Sequence, residues 1–506
     1  MRNLSLASNA PKILFVAALA GVSGDLLLRG GIWRAGFALW VLGLLASVFA
    51  LKGRGCTEYM LMMAGVALAA LGVVWRDSPT LYVLDMLSVL CMGVLTIWHG
   101  SGRSIAELSI VDTVRAGVIA VVNLLAGAFG VVASSDVVPG TNEPGRGTLR
   151  AVLIGAVLAV VPLAIVTALL ASSDVVFDSL LERIFTTVIT DGLAHAAVMI
   201  VLAWLATGWL RATLGDPVDR SIPDPRSPGL PFLSVAVGLY ALLALLLSFV
   251  GTQARVLFGG AAFLRRTANL SVASYAREGF FQLILAAGVV LGTLVIAEWL
   301  LSNEDAPARR HYRIVSGVLL ALIATLLISS ATRIWLYVDL FGLSVDRAFA
   351  GAAIVWVSGV LCAFALTTLR ERSSRFMATT IVVTVAWVAM LNLANPEAIV
   401  VRVNVARAAA GETFDATYHA HLSADALPVL LRNTDKLTAA DCTALQTELL
   451  RWWAKRLADP EEGGRDWRST DLPLSRARRW YESATGASGS PAPAAAPCRG
   501  AGRTVP

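Results

Sequence analysis

The sequence predicts an all-α fold: a polytopic helical membrane bundle of about twelve transmembrane helices, followed by a small helical extramembrane C-terminal domain. Three observations carry that reading. The 506 residues are 57% hydrophobic and only 15% charged, with a mean hydropathy of +0.70, too apolar for a string of water-soluble domains. Runs of roughly 17–25 apolar residues, enough to cross ~30 Å of hydrocarbon, recur along the first four fifths of the chain. Charge is concentrated at the end: residues 396–506 hold 14 Lys/Arg and 13 Asp/Glu, against 27 and 22 in the first 395.

The runs lie near 12–28, 35–51, 59–75, 81–98, 113–133, 149–171, 193–210, 232–251, 279–301, 314–332, 348–369 and 376–395. Breaker clusters such as Arg76-Asp77-Ser78-Pro79 and Pro139-Gly140-Thr141-Asn142 separate them. Exposed backbone finds no water in hydrocarbon, so each run must be helical. For the first run, Lys12 and Ala18-Leu19-Ala20 leave a cleaved signal peptide as the alternative, although the apolar stretch continues to Leu28. The acidic stretch from Asp174 to Asp191 is the natural place for a surface helix that would alter the count. Gly288 and Gly292 read as a small-residue packing face.

The net charge of +6 comes from 41 basic and 35 acidic residues. Basic residues at loop ends account for that excess and call for no nucleic-acid partner. Orientation is undecided, because a twelve-helix count puts 13 basic residues in one side's loops and 14 in the other's. Cysteines 56, 91, 362, 442 and 498 show no paired spacing, so neither a disulfide framework nor a zinc site is expected. Gly-x-Ser-x-Gly, His-Glu-x-x-His and Walker-type strings are missing, and His419-x-His421 lacks a third ligand. The expectation leans against an enzyme, with no cofactor and no metal.

Ionisable side chains inside apolar runs are the default place to look for function. Asp25 lies four residues before Arg29, the spacing of an ion pair on one helix face. Asp85 follows Tyr82 by three residues and reads either as a cation or proton site or as a snorkelling acid. His195, like Asn123, stands on an apolar face, in the manner of an interhelical hydrogen-bonding group. Glu298 sits beside Trp299 near the end of its run, as in an interfacial belt.

Further along come Arg255-Val256-Leu257-Phe258-Gly259-Gly260 and Tyr275-Ala276-Arg277-Glu278-Gly279-Phe280-Phe281-Gln282. Arg333, Tyr337, Phe341-Gly342-Leu343-Ser344 with Arg347, Asn395-Pro396, Asn404 and Ser423-Ala424-Asp425-Ala426-Leu427-Pro428 follow. This ordered set resembles the bacterial polytopic membrane proteins grouped as domain of unknown function 4153/4173, over roughly residues 150–480. The resemblance implies a multi-pass protein of the bacterial inner membrane and carries no established activity. Glu278 and Gln282 depart from the family's pattern, where a second basic residue and a glutamate are expected. Tyr275, Glu278 and Gln282 share one helical stripe. Arg277 with Arg333 or Arg347 reads either as a cradle for a small anion or an anionic lipid headgroup or as a set of loop locks on Glu278, Asp339 and Asp346.

After Pro396 the pattern turns amphipathic, with Leu427, Leu430 and Leu431, then Leu445, Leu449, Leu450, Trp453 and Leu457, at helical spacing. Asp441-Cys442-Thr443 reads as a helix start. A third helix is expected in 466–481, with Trp452, Trp453, Trp467 and Trp480 filling the core or, as the alternative, lining a groove for a partner. The domains expected are 1–395 in the membrane, 396–482 as a helical extramembrane unit and 483–506 as a disordered tail. Three function classes follow: a membrane scaffold or sensor acting through its C-terminal domain and a protein partner, a permease for a small or lipid-like solute, and an intramembrane transferase on lipid-linked substrates.

Overall fold

A computed structural model of the chain describes residues 6–134 save 30–32, 54 and 107, a few between 166 and 179, and 191–215, 230–267, 280–301, 305–459 and 466–486. Every extended element among them is helical. Eleven helices carry a stretch long and apolar enough to cross a membrane, and the chain is a multi-pass membrane protein. They are α1 (Leu6–Leu28), α2 (Ala35–Lys52), α3 (Thr57–Trp75), α4 (Pro79–Gly100), α5 (Ile110–Ser134), α6 (Asp191–Thr213), α7 (Phe232–Thr267), α8 (Phe280–Leu300), α9 (Ala306–Phe341), α10 (Val345–Thr367) and α11 (Phe376–Ala394). Each coincides with one of the apolar runs. The remaining run, 149–171, and the acidic stretch after it lie outside the described residues, apart from a few positions.

The spans form two groups with separate cores. Val48, Tyr59, Met63, Ile119 and Leu210 belong to the first, built from α1–α6; Leu294, Leu319, Ile323 and Phe364 belong to the second, built from α7–α11. Met377 on α11 packs against both. In the first group, glycines allow backbones to meet. A Cβ on Gly208 of α6 would come within 2.2 Å of the Asn123 carbonyl oxygen on α5, and one on Gly21 of α1 within 2.3 Å of the Met199 carbonyl oxygen on α6. Small residues serve this purpose in lipid, where apolar burial alone drives little helix association. The expectation for Gly288 and Gly292 is not met among the described residues, none of which a Cβ at either position would approach within 4 Å. A small-residue pair becomes a packing face only where a partner helix lies against it.

Beyond α11, Asn395 adopts a left-handed conformation (φ 54°), ends that helix and caps the next with its side chain, which accepts from Ala398 N–H at 3.1 Å. Asparagine tolerates this backbone region better than most residues. The segment then contains α12 (Pro396–Ala409), α13 (Ala416–Ala420), α14 (Leu427–Arg432), α15 (Ala439–Ala458) and α16 (Leu472–Ala484), around a core that includes Val401, Leu430, Leu445, Leu449 and Trp453. Three expectations change. Trp467 is 58% exposed, Leu450 also faces outward, and only Trp453 of the four tryptophans is fully buried. The start of α15 is capped by Thr438, which accepts from Asp441 N–H at 3.1 Å. Cys442 is disulfide-bonded, which the spacing of cysteines along the chain did not reveal, because pairing depends on proximity in space.

Candidate functional site

The connections at 33–34, 76–78, 342–344 and 395 lie at one end of the bundle, since each is joined to the C-terminal segment or to another of the set. The loop Arg76-Asp77-Ser78 is the centre. Pro79 begins α4 with its fixed φ, and the two N–H groups before it, of Asp77 and Ser78, both donate to Asp425 Oδ2 at 2.7 and 2.9 Å. Asp77 answers by accepting from Ala424 N–H at 2.7 Å. Two backbone strands that are about 350 positions apart in sequence thus exchange carboxylates.

Asp77 is buried and takes two arginines. Arg456 from α15 makes a bidentate contact, Nη1 to Oδ2 at 2.8 Å and Nη2 to Oδ1 at 2.9 Å. Arg34, just before α2, donates to Oδ1 at 3.2 Å and also lies 2.6 Å from Asp471. Arg76 reaches the Asn392 carbonyl at 2.7 Å and Asp425 Oδ1 at 3.3 Å. Asp471 caps α16, accepting from Leu474 N–H at 2.6 Å. Glu397, at the first turn of α12, accepts from Ser423 N–H at 2.7 Å. Beside this joint, Asn404 clasps Leu343 from both sides, accepting its N–H at 2.8 Å and donating to its carbonyl at 2.7 Å. Gly342 (φ 78°) has no room for a Cβ, which would sit 2.8 Å from Asn404 Oδ1.

Burial pulls the acids of the joint upward and the arginines pull them down. For Asp77, Arg456, Arg34 and the hydrogen bonds together outweigh burial and hold its carboxyl below the usual aspartate range. For Asp471, burial and then repulsion from Asp77 win over Arg34 and push it up to about 8. Asp425 and Glu397 are also raised, mainly by burial. A raised acid takes up its proton in the folded state, so its stabilising contribution is complete below the ordinary aspartate value and is lost as pH rises through about 8. Protease release of the C-terminal segment from the solubilised protein should therefore be easier at pH 9 than at pH 6. Asp471→Asn should flatten that dependence; an unchanged slope would exclude Asp471 as its source.

Next to the joint lies a cavity of about 870 Å³, walled by Trp33, Arg34 and Tyr82 from the membrane part and by Glu397, His421 and Trp452 from the C-terminal segment, among others. Among the described residues there is no group of three or more His, Cys, Asp or Glu able to hold a metal ion.

The residues singled out from sequence are distributed as follows. Asp25 and His195 meet across α1 and α6: His195 Nδ1 donates to Asp25 Oδ2 at 2.6 Å, Arg29 donates to Oδ1 at 2.8 Å, and Arg29 also contacts His195 Nε2. Asp85 is buried on α4 against Gly72 of α3 and accepts from Asn392 Nδ2 at 2.9 Å. Glu298 lies 3.7 Å from Arg309. Arg333 is buried on α9. Arg347 stacks over Tyr337 at 4.0 Å and donates to the Gly342 carbonyl, so its lock is on a ring and a carbonyl in place of Asp339 or Asp346. Gln282 is exposed in the first turn of α8. Arg255 lies within α7, its side chain outside the described residues, as are Tyr275, Arg277 and Glu278 altogether.

Sequence reasoning passed over Arg34, Asp77, Glu397, Arg456 and Asp471. The available signal was Arg76-Asp77: two charges in a three-residue connection between spans, where a turn needs neither. A model of the family described as Domain of unknown function (DUF4153) matches residues 63–433. That match begins far earlier than the expected residue 150 and takes in both the Asp77 loop and its partner Ser423–Pro428, which pack as one unit. No curated protein and no solved structure matches the chain.

Proposed function

The chain belongs to the family described as Domain of unknown function (DUF4153), and from that premise we propose that it is a membrane scaffold or sensor-type protein acting through its C-terminal segment, residues 396–482, in a bacterial inner membrane. The observation supporting this reading is the buried joint in which Asp77 pairs with Arg34 and Arg456 and Asp425 pairs with Arg76, with Asp471 lying against Arg34. A segment that hung on a tether would need no such joint. Buried ion pairs add little net stability, yet removing one partner is costly. Such a joint holds one docked arrangement and couples the segment to the packing of α2–α4. Outward-facing Leu450, Trp467 and Leu472 offer apolar contacts to a protein partner. Helical spans favour the inner membrane, since outer-membrane proteins are closed barrels.

Photo-reactive residues placed singly at Leu450, Trp467 and Leu472 test the reading in cells. Protein adducts are expected at one position or more, and they should weaken when Asp77→Ala is added. Lipid adducts alone, or none at all three positions with normal expression, would refute it. The cavity favours a second reading, a permease or a transferase on lipid-linked substrates, because about 870 Å³ is room for a small ligand.

A further inference from the structure

The cavity beside the ionic joint has a chemistry of its own, independent of any protein partner. Its membrane side is formed by the first turn of α4, where Pro79, Tyr82 and Val83 line it, together with Trp33. Val83 and Trp33 are 54% and 48% exposed. Val83 lies near the start of the spanning stretch of α4 and Trp33 just before that of α2, the kind of position at which tryptophan commonly marks the headgroup layer. The cavity is thus lined by the starts of apolar spanning helices on one side and by the C-terminal segment on the other.

Accounting for donors and acceptors gives the polarity of what fits. The cavity's two cationic side chains are engaged: Arg456 holds both oxygens of Asp77, and Arg34 is divided among Asp77, Asp471 and the Arg76 carbonyl. Acceptors remain. Asp346, in the first turn of α10, is exposed and makes no ion pair among the described residues. His421 Nδ1 donates to the Thr417 carbonyl at 2.6 Å, which turns Nε2, the nitrogen that can accept, away from that bond. Glu397 faces the cavity from the opposite wall. Aromatic rings of Trp33, Tyr82 and Trp452 complete the lining. Two carboxylates, a basic nitrogen and aromatic faces attract a cation that carries N–H groups, and they repel an anion.

We propose that this cavity receives the ammonium headgroup of a zwitterionic bilayer lipid, with Glu397 and Asp346 as its counter-charges and His421 Nε2 as a hydrogen-bond acceptor. The same headgroup chemistry is present in soluble phosphoethanolamine, and the test separates the two sources. The full-length protein is placed in nanodiscs of phosphatidylcholine doped with either phosphatidylethanolamine or phosphatidylglycerol of the same chains. Thermal unfolding is followed, and co-purifying lipid is weighed by native mass spectrometry. Phosphatidylethanolamine should raise the unfolding temperature and be retained, while phosphatidylglycerol should do neither beyond the undoped control. Asp346→Asn, a change at an exposed position that keeps the side chain's size and polarity, should keep most of the undoped stability and weaken the phosphatidylethanolamine effect by about tenfold in half-saturating lipid fraction. Glu397→Gln, which can still accept from Ser423 N–H, should do the same. Equal effects of the two lipids, or a phosphatidylethanolamine effect indifferent to both substitutions, would overturn the site. A shift produced by soluble phosphoethanolamine and not by the lipid would overturn the bilayer as its source.

Discussion

Asp77→Ala is expected to undock the C-terminal segment from the membrane helices and to cost the solubilised protein about 3–5 kcal/mol, the range for breaking a buried ion pair from one side. The substitution deprives Arg456 of both its carboxylate contacts and Arg34 of one, and it leaves Ala424 N–H without its acceptor. The guanidinium groups stay where water is scarce, and an unpaired buried charge is what makes the change expensive. Arg451→Ala is the control: its ion pair with Glu448 is made by a side chain 72% exposed, so about 0–1 kcal/mol is at stake. Thermal unfolding and protease cleavage within 396–486 report the two effects together. If Asp77→Ala behaves like Arg451→Ala, the joint does not hold the segment. Replacing Arg34, Asp77 and Arg456 together by apolar residues of similar size should restore much of the loss, because desolvation is then removed along with attraction.

The second large effect is expected inside the membrane, at Gly208→Ala. The added carbon would stand 2.2 Å from the Asn123 carbonyl oxygen and 2.9 Å from that of Leu124, both backbone atoms of α5. A side chain would swing aside, but a helix backbone cannot without separating α5 from α6. Gly127 faces the same crossing, with its own Cβ direction 2.8 Å from Gly208 Cα. Overpacking of this kind costs about 1–3 kcal/mol, and no gain in apolar burial offsets it in lipid. Gly288→Ala should leave the unfolding temperature unchanged or slightly higher, because no described residue lies within 4 Å of the added carbon and alanine is the better helix former. Equal loss in both variants would mean that the glycines act through the backbone's freedom and not through contact.

The contrast between those glycines shows where sequence reading stops. Gly288 and Gly292 have the spacing of a packing face, and Gly208 with Ala212 has the same spacing, yet of these three glycines only Gly208 meets another backbone among the described residues. Spacing describes one helix, whereas a crossing belongs to two. His195 is a similar case: its apolar surroundings suggested a hydrogen bond across helices, but the identity of its acceptor, Asp25 on α1, lies 170 positions away. Asp25 and Arg29 were legible because an i, i+4 pair is closed by the geometry of a single helix. Tryptophans in the C-terminal segment read alike in sequence, and packing alone separates buried Trp453 from exposed Trp467.

By itself, the sequence determined that this chain crosses a membrane many times as helices and ends in an amphipathic helical segment. Those features follow from local rules, since hydrocarbon leaves each apolar run no other way to satisfy its own backbone. The tertiary structure decided which charges meet. Asp77 reaches its backbone partner's carboxylate across 348 positions and its arginine across 379, and nothing local to Arg76-Asp77-Ser78-Pro79 selects Ser423–Pro428 or Arg456 over other polar residues. That choice is made when the helices pack and bring chain ends to one face of the bundle, where carboxylates removed from water are stable only against the donors that arrive with them.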